Sequence, residues 1–217
     1  MWKVDSQMKR NLSKMLLISL FWVASLMAIS SCHSQNNPDA WEQRHNAYQP
    51  PEQVMDSLGV KSGMIIAEIG AGRGRYVVHM ANRVGATGKI YANDIDKKAL
   101  DYLEYRCKRD SIPNVISVLG KVTDPQLPKE TIDLVYMINT YHHLDKPIEL
   151  MKNIIPCLKP NGKLAIIEHD PVKVPDFGSE ATAKDVLIDQ AKQAGFELGR
   201  MMTFLKRDNI YIFRVTR

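Results

Sequence analysis

From residue 64 to residue 215 short apolar runs alternate with longer stretches of helical spacing, and this alternation decides the fold class before any single residue does. Apolar runs at 64–69, 89–93, 115–119, 132–138 and 163–168 read as strands. Between them, 76–84 carries Val77, Met80, Ala81 and Val84 at helical spacing, and 97–110 carries Leu100, Leu103 and Cys107 on one face. A third helix starts at Asp145 and Pro147, with Ile148, Met151, Ile154, Ile155 and Leu158 on one face. After a Pro-containing loop, 181–194 is expected to be helical and to end at Gly195, followed by strands at 197–204 and 210–215 across a polar turn at 206–209. Strands that alternate with helices of this length form a parallel, doubly wound Rossmann-like α/β sheet with helices on both faces, and the final strand is expected antiparallel at one edge. Ahead of them, 52–59 (EQVMDSLG) reads as a short helix capped by Gly59.

Composition closes off other classes. The 217 residues suffice for one domain, and 45% hydrophobic with 24% charged residues is ordinary for a globular protein. Three cysteines are too few for a disulfide framework, and Cys107 and Cys157 read as buried reduced thiols. The net charge of +5 is concentrated at the amino terminus, where Lys3, Lys9, Arg10 and Lys14 face one acid, Asp5. What remains is too small to mark a nucleic-acid binder.

That basic segment precedes an uncharged run, MLLISLFWVASLMAISS (15–31), which ends in small residues before Cys32. A basic region, an apolar region shorter than a comfortable membrane span and a small-residue cleavage site make 1–31 a signal peptide. Ile29-Ser30-Ser31-Cys32 resembles the bacterial lipoprotein processing box, which implies a lipidated Cys32, a tether over 32–41, a single domain over 42–217 and an exported, membrane-attached protein; an uncleaved anchor is the alternative.

The turn after the first strand is Glu68-Ile69-Gly70-Ala71-Gly72-Arg73-Gly74. Glycines at that place let the backbone fold tightly and approach a ligand. A dinucleotide fingerprint would need a glycine where Arg75 stands, which weighs against a nicotinamide cofactor. The second strand ends at Asp94, where a carboxylate can accept from ribose hydroxyls; otherwise the glycines are only a tight turn and Asp94 only a helix cap.

Residues from about 42 to 217 resemble a class I S-adenosylmethionine-dependent methyltransferase through an ordered series: EIGAGRG (68–74), YANDID (91–96), TIDLVYMINTYHHL (131–144), LKPNGKLAIIEHD (158–170) and AGFE (194–197). The resemblance implies that Glu68, Gly70, Ala71 and Gly72 surround the methionine part of the cofactor. It implies that Asp94 holds the ribose, Ile95 packs on adenine and Asn139 lines the end of the fourth strand. Two departures stand out. The loop after the third strand has Gly120-Lys121-Val122-Thr123-Asp124 in place of a glycine–acid pair, so that Asp124 or the backbone of Val122 would serve the adenine. Asn161 replaces a glycine, a swap that left-handed backbone geometry at Asn161 would permit.

Methyl transfer from a sulfonium needs mostly positioning, and a base only where the acceptor must lose a proton. Tyr141, His142 and His143 follow the fourth strand, and His169 and Asp170 the fifth. His142 or His143 would deprotonate a small-molecule acceptor and Tyr141 would orient it, with His142 preferred if the strand continues that far; packing or solvent-facing roles are the alternative. Adjacent histidines usually diverge, so no metal is assigned. The expected function is transfer of a methyl group to a small molecule; a non-catalytic nucleoside-binding module and a nicotinamide-dependent oxidoreductase are the other classes.

Overall fold

The computed structural model describes residues 38–216. The segment 1–31, Cys32 and most of the expected tether lie outside the described residues. The helix α1 (Pro38–Tyr48) comes first, and residues 48–217 make up a separate compact unit. No helix among the described residues is long and apolar enough to cross a membrane.

The compact unit follows the expected alternation. Helix α2 (Pro51–Leu58) is followed by β1 (Ile65–Ile69), α3 (Arg75–Val84), β2 (Lys89–Asp94), α4 (Lys97–Arg109), β3 (Val115–Leu119) and β4 (Ile132–Ile138). Then come α5 (Pro147–Ile154), β5 (Leu158–His169), α6 (Lys184–Gln193), β6 (Phe196–Met202) and β7 (Asp208–Val215). The seven strands lie in the order β3-β2-β1-β4-β5-β7-β6, with β7 antiparallel to both of its neighbours. All other pairs are parallel, so the carboxyl ends of β1, β2, β4 and β5 share one edge of the sheet with the start of β7.

Each face of the sheet has its own core. On one, Val54, Leu58, Val77, Met80 and Leu103 of α2–α4 pack on Ile66, Ile90 and Leu134. On the other, Leu150, Met151 and Ile154 of α5 and Leu187 and Ala191 of α6 pack on Val135, Met137, Phe196 and Phe213. Full burial of one such aliphatic side chain contributes about 1.5–3 kcal/mol. Local signals set the helix ends. Gly59 turns left-handed at φ 73° to close α2, and the Asp96 carboxylate accepts from the Lys98 N–H at 2.8 Å to open α4.

Four expectations need correction. Pro156 cannot donate a helical hydrogen bond, so α5 stops at Ile154, a 3-10 turn (Ile155–Cys157) follows, and Leu158 begins a strand instead of completing a helix face. The helix expected over 181–194 starts at Lys184, because its buried face of Leu187 and Ala191 does not reach back to Ala181; a 3-10 segment (Pro175–Glu180) precedes it. Asn161 is not left-handed; it lies within β5, and the tight approach is at Gly162, where a Cβ would stand 2.8 Å from the Ile132 carbonyl. Asp208 and Asn209, expected in a polar turn, are the first residues of β7 and are buried.

The packing of α6 is tested by a pair of substitutions. Leu187 is fully buried while Val186 beside it is 49% exposed. Leu187→Ala should lower the unfolding free energy in urea by about 2–5 kcal/mol, and Val186→Ala should change it by less than about 0.5 kcal/mol.

Candidate functional site

The glycine turn leaves β1 with Gly70, Gly72 and Gly74 all at positive φ. The Gly70 and Ala71 N–H groups both donate to the Asn93 carbonyl at 2.9 Å, which stitches the turn to the end of β2. A Cβ on Gly70 would overlap Thr140, and one on Gly74 would meet Leu103 at 2.3 Å, so packing demands those two glycines. Gly72 is different, because a Cβ there would meet nothing within 4 Å. Its N–H donates to Asp94 Oδ2 at 2.7 Å, and the Asp96 N–H donates to Asp94 Oδ1 at 2.9 Å. Asp94 is thus held at the rim of an open space, and Ile95 beside it is 65% exposed, unusual for so large an apolar side chain. An open cradle, a fixed carboxylate and an exposed apolar side chain fit the ribose and adenine of a nucleoside cofactor.

Deeper in the turn, Glu68 is almost wholly buried and accepts from the Tyr136 hydroxyl at 2.6 Å. Burial pushes its carboxyl up to about 8, against the weaker opposing effects of the Tyr136 hydrogen bond and the Arg75 guanidinium. The same burial raises the hydroxyls of Tyr136 and Tyr76. Over this group lies Gln49, which composition and spacing did not single out. It is 2% exposed, and its side chain donates to Asn139 Oδ1 at 3.0 Å and accepts from Arg75 at 2.6 Å. Its carbonyl accepts from the Tyr76 hydroxyl at 2.6 Å. Asn139 itself is left-handed at φ 50°, which ends β4 at Ile138 and turns its amide toward Gln49.

Beyond Asn139 the chain forms a 3-10 turn (Tyr141–His143). The strand does not persist to His142, so two-residue alternation does not decide which histidine faces the site; a buried partner does. His142 Nδ1 lies 2.7 Å from Glu168 Oε1, with side-chain exposures of 5% and 0%. A second pair stands beside it, His169 Nδ1 at 2.7 Å from Asp208 Oδ1. The His142 and His169 rings stack with centroids 5.8 Å apart, and Phe177 meets His169 edge-on at 4.9 Å.

Glu68, Gly70, Ala71, Gly72, Asp94, Ile95 and Asn139 therefore gather along the carboxyl ends of β1, β2 and β4. Three acceptor-side and adenine-side expectations fare differently. Tyr141 is 3% exposed and its hydroxyl donates to Gln190 of α6 at 2.6 Å, which commits that hydroxyl to the contact with α6. The Asp124 carboxylate accepts from the backbone and the side chain of Gln126, which commits it to its own loop. His143 is exposed, its ring against His142 at 4.1 Å. Cys107 and Cys157 are buried and free, as expected.

Residues 67–166 match the model of a methyltransferase domain family. The chain is 24% identical over 117 residues to a demethylmenaquinone methyltransferase of a Geobacillus species, an alignment covering 54% of this chain and 50% of that protein. The chain spans about half the length of the first curated relatives it matches. Among solved structures it is similar to an S-adenosylmethionine-dependent methyltransferase of Aquifex aeolicus, with a TM-score of 0.75, 24% identity, and coverage of 86% of this chain and 98% of that one. It is also similar in fold to the methyltransferase CalH, crystallised with S-adenosylhomocysteine, at a TM-score of 0.64 and 20% identity over 83% of this chain and 60% of that one. The glycine turn, Glu68 and Tyr136 fall within the matched residues.

Burial of Glu68 generates a pH dependence in that domain. Its carboxyl rises from about 4.5 unfolded to about 8 folded, so the folded state holds the extra proton between those values. Stability then falls as pH rises from about 4.5 to about 8 and levels off above it. Glu68→Gln, which mimics the protonated acid, should flatten that part of a urea-denaturation profile against pH; an unchanged slope would show that Glu68 does not cause it.

Proposed function

We propose that this protein transfers a methyl group from S-adenosylmethionine to a small-molecule acceptor. The observation that carries this reading is the cradle at Gly72, where Asp94 is fastened to the turn by a 2.7 Å bond while the space over Gly72 stays clear of protein atoms. Asp94 would accept from the ribose hydroxyls and Ile95 would cover one face of the adenine. Glu68, Gly70 and Asn139 would line the methionine end, where the Gln49 bridge covers the space between α3 and the end of β4. When bound, the cofactor supplies an electrophilic methyl group on a sulfonium, with a neutral thioether as leaving group.

The acceptor side lies at the end of β5. His142 has its Nδ1 on the buried Glu168 carboxylate, which orients the ring and leaves Nε2 to take a proton from an acceptor hydroxyl or amine as the methyl group arrives. Glu168 acts through His142 and is a positioning residue; it is anchored by the His169 N–H, which donates to it at 3.0 Å. A small acceptor is favoured by the lack of any inserted domain between the described strands and by the quinone-directed name of the Geobacillus relative. The amino-terminal segment supports export and attachment to a bacterial membrane through a lipid on Cys32, since a basic stretch, an apolar run and a small-residue box stand in that order.

Calorimetric titration of the protein with S-adenosylmethionine, S-adenosylhomocysteine and NAD tests the cofactor. Binding of the first two and not the third is expected, and binding of NAD alone would overturn the reading. Asp94→Ala should weaken S-adenosylmethionine binding by about 1.5–3 kcal/mol with the fold retained by circular dichroism. His142→Ala should cost about 10²–10⁴ in turnover while cofactor affinity holds. Binding without turnover of any acceptor would favour a nucleoside-binding module. Cys32→Ser should abolish incorporation of labelled fatty acid, and equal labelling of variant and wild type would remove the lipid anchor.

A further inference from the structure

The loop that follows β5 and the turn that precedes β7 are fastened to one another. The Lys173 ammonium donates to the carbonyls of Thr203, Leu205 and Asp208 at 2.8, 2.9 and 2.7 Å, which uses every proton it carries. The Asp170 N–H donates to the Arg207 carbonyl at 3.0 Å, and the Asn209 amide donates to Asp170 Oδ2 at 2.7 Å. These bonds make 170–173 and 203–207 one surface, at the edge of the sheet where β5 ends and β7 begins.

Two large apolar side chains stand in water on that surface. Val172, at the tip of the first loop, is 88% exposed, the highest value for a large hydrophobic residue among the described residues. Phe204, between two of the carbonyls that Lys173 holds, is 50% exposed. Turn tips ordinarily carry Gly, Asn, Asp or Ser. A single exposed apolar side chain is common and marks nothing, but these two stand on segments whose backbones are held in place, so neither loop can fold back to bury them. An apolar partner that covers them gains their burial without first having to order the loops. Lys206 between them and β7 is exposed, and the Arg207 guanidinium lies 3.5 Å over the Tyr48 ring and 5.7 Å from the Phe177 ring. Apolar tips bordered by cations and aromatic rings have the composition of an interfacial membrane contact. Asp176, exposed on the next segment, offsets part of the positive charge, so the apolar tips carry more of the attraction than the headgroup charge does.

The place where the chain enters the compact unit selects the occupant. Tyr48 is the first residue of that unit, and its stacking on Arg207 puts the entry point beside the 203–207 turn. Residues 32–47 link it to the uncharged apolar run 15–31. A bilayer that takes up this run is held at high effective concentration next to the surface that bears Val172 and Phe204. No helix among the described residues is long and apolar enough to cross a membrane, so the contact is made by loop tips.

We infer that the surface formed by 170–173 and 203–207 docks on the lipid bilayer to which the amino-terminal run attaches the chain, with Val172 and Phe204 inserted below the headgroups and Lys206 among them. This rests on the membrane-attachment reading and adds an orientation to it, in which the carboxyl ends of the strands face the bilayer.

The test places a nitroxide on Thr203→Cys, an exposed position beside Phe204, in the full chain mixed with vesicles of phosphatidylcholine and phosphatidylglycerol. Its collisions with oxygen and with a water-soluble nickel chelate are read by electron paramagnetic resonance. Lys61→Cys, exposed ahead of β1 at the opposite end of the sheet, is the reference, and the signal of the labelled wild-type chain, which carries Cys32, is subtracted. The Thr203 label should lie about 5–10 Å into the bilayer interface and the Lys61 label in water. Val172→Asp combined with Phe204→Asp should return the Thr203 label to water while the chain stays on the vesicles, which shows that the apolar tips and not the label make the contact. Equal nickel accessibility of the two labels on vesicle-bound chain overturns the docking and keeps the attachment. A chain that does not float with the vesicles overturns both. An inserted Thr203 label in a chain whose apolar run is broken by Leu20→Lys and Phe21→Lys keeps the docking and removes the part of the run. Protection of the Thr203 label that grows with protein concentration in the absence of vesicles assigns the surface to a second copy of the chain and overturns the inference.

Discussion

The lateral register of the sheet is the constraint from which the site follows. Parallel pairing of β1 with β4 puts Glu68 level with Tyr136, and the 2.6 Å hydrogen bond between them is a consequence of that register. Antiparallel pairing of β5 with β7 puts His169 level with Asp208 in the same way. A shift of one residue in either ladder would send these side chains to the opposite face and leave buried carboxylates among aliphatic groups. The apolar cores on both faces resist such a shift, because each strand's alternate residues belong to separate clusters. Packing far from the site therefore sets the positions of the groups within it.

Where the strands end, the chain uses backbone conformations that most residues avoid. Gly70, Gly72 and Gly74 turn left-handed after β1, and Asn139 does so after β4. These turns carry N–H groups to the Asn93 carbonyl and the Asp94 carboxylate instead of continuing a ladder. Gln49 then ties both turns together through Arg75 and Asn139, so that the segment before α2 is part of the site wall. The geometry favours a ligand that enters at the sheet edge and is held by elements from β1, β2 and β4 at once.

Charge in the crevice is arranged in buried groups with few partners each. Glu68 has Tyr136, Glu168 has His142, and Asp208 has His169. Low local dielectric makes each contact stronger than its counterpart in water and makes any unfilled valence more costly. Such an arrangement suits a site whose partners arrive with the substrates, and it accounts for a protonated Glu68 near neutral pH, since the Arg75 guanidinium and the Tyr136 hydrogen bond only partly offset its burial.

Much of this was legible from residue order alone. Strands β3 and β4 have the bounds that their apolar runs predict, helix α2 ends at Gly59 and helix α4 begins after Asp96, because those features depend on neighbours in the chain. The glycine turn and Asp94 were equally visible, since strand, turn, helix and acid are separated by fixed, local distances. Glu168 carried a faint signal, an acid closing an apolar run, whereas Asp208 and Asn209 carried none, sitting in a stretch rich in charge that reads as a turn. Gln49 and the partners of the histidines came only from the tertiary structure, which brings residues 26 and 39 positions apart into contact. Tyr141 shows the converse. Its place after β4 suggested a role at the acceptor, but the 3-10 turn directs its hydroxyl to Gln190, 49 residues on. Sequence determines what each segment prefers to be; which side chains share a buried space depends on how the two cores close around the sheet, and that is a property of the whole fold.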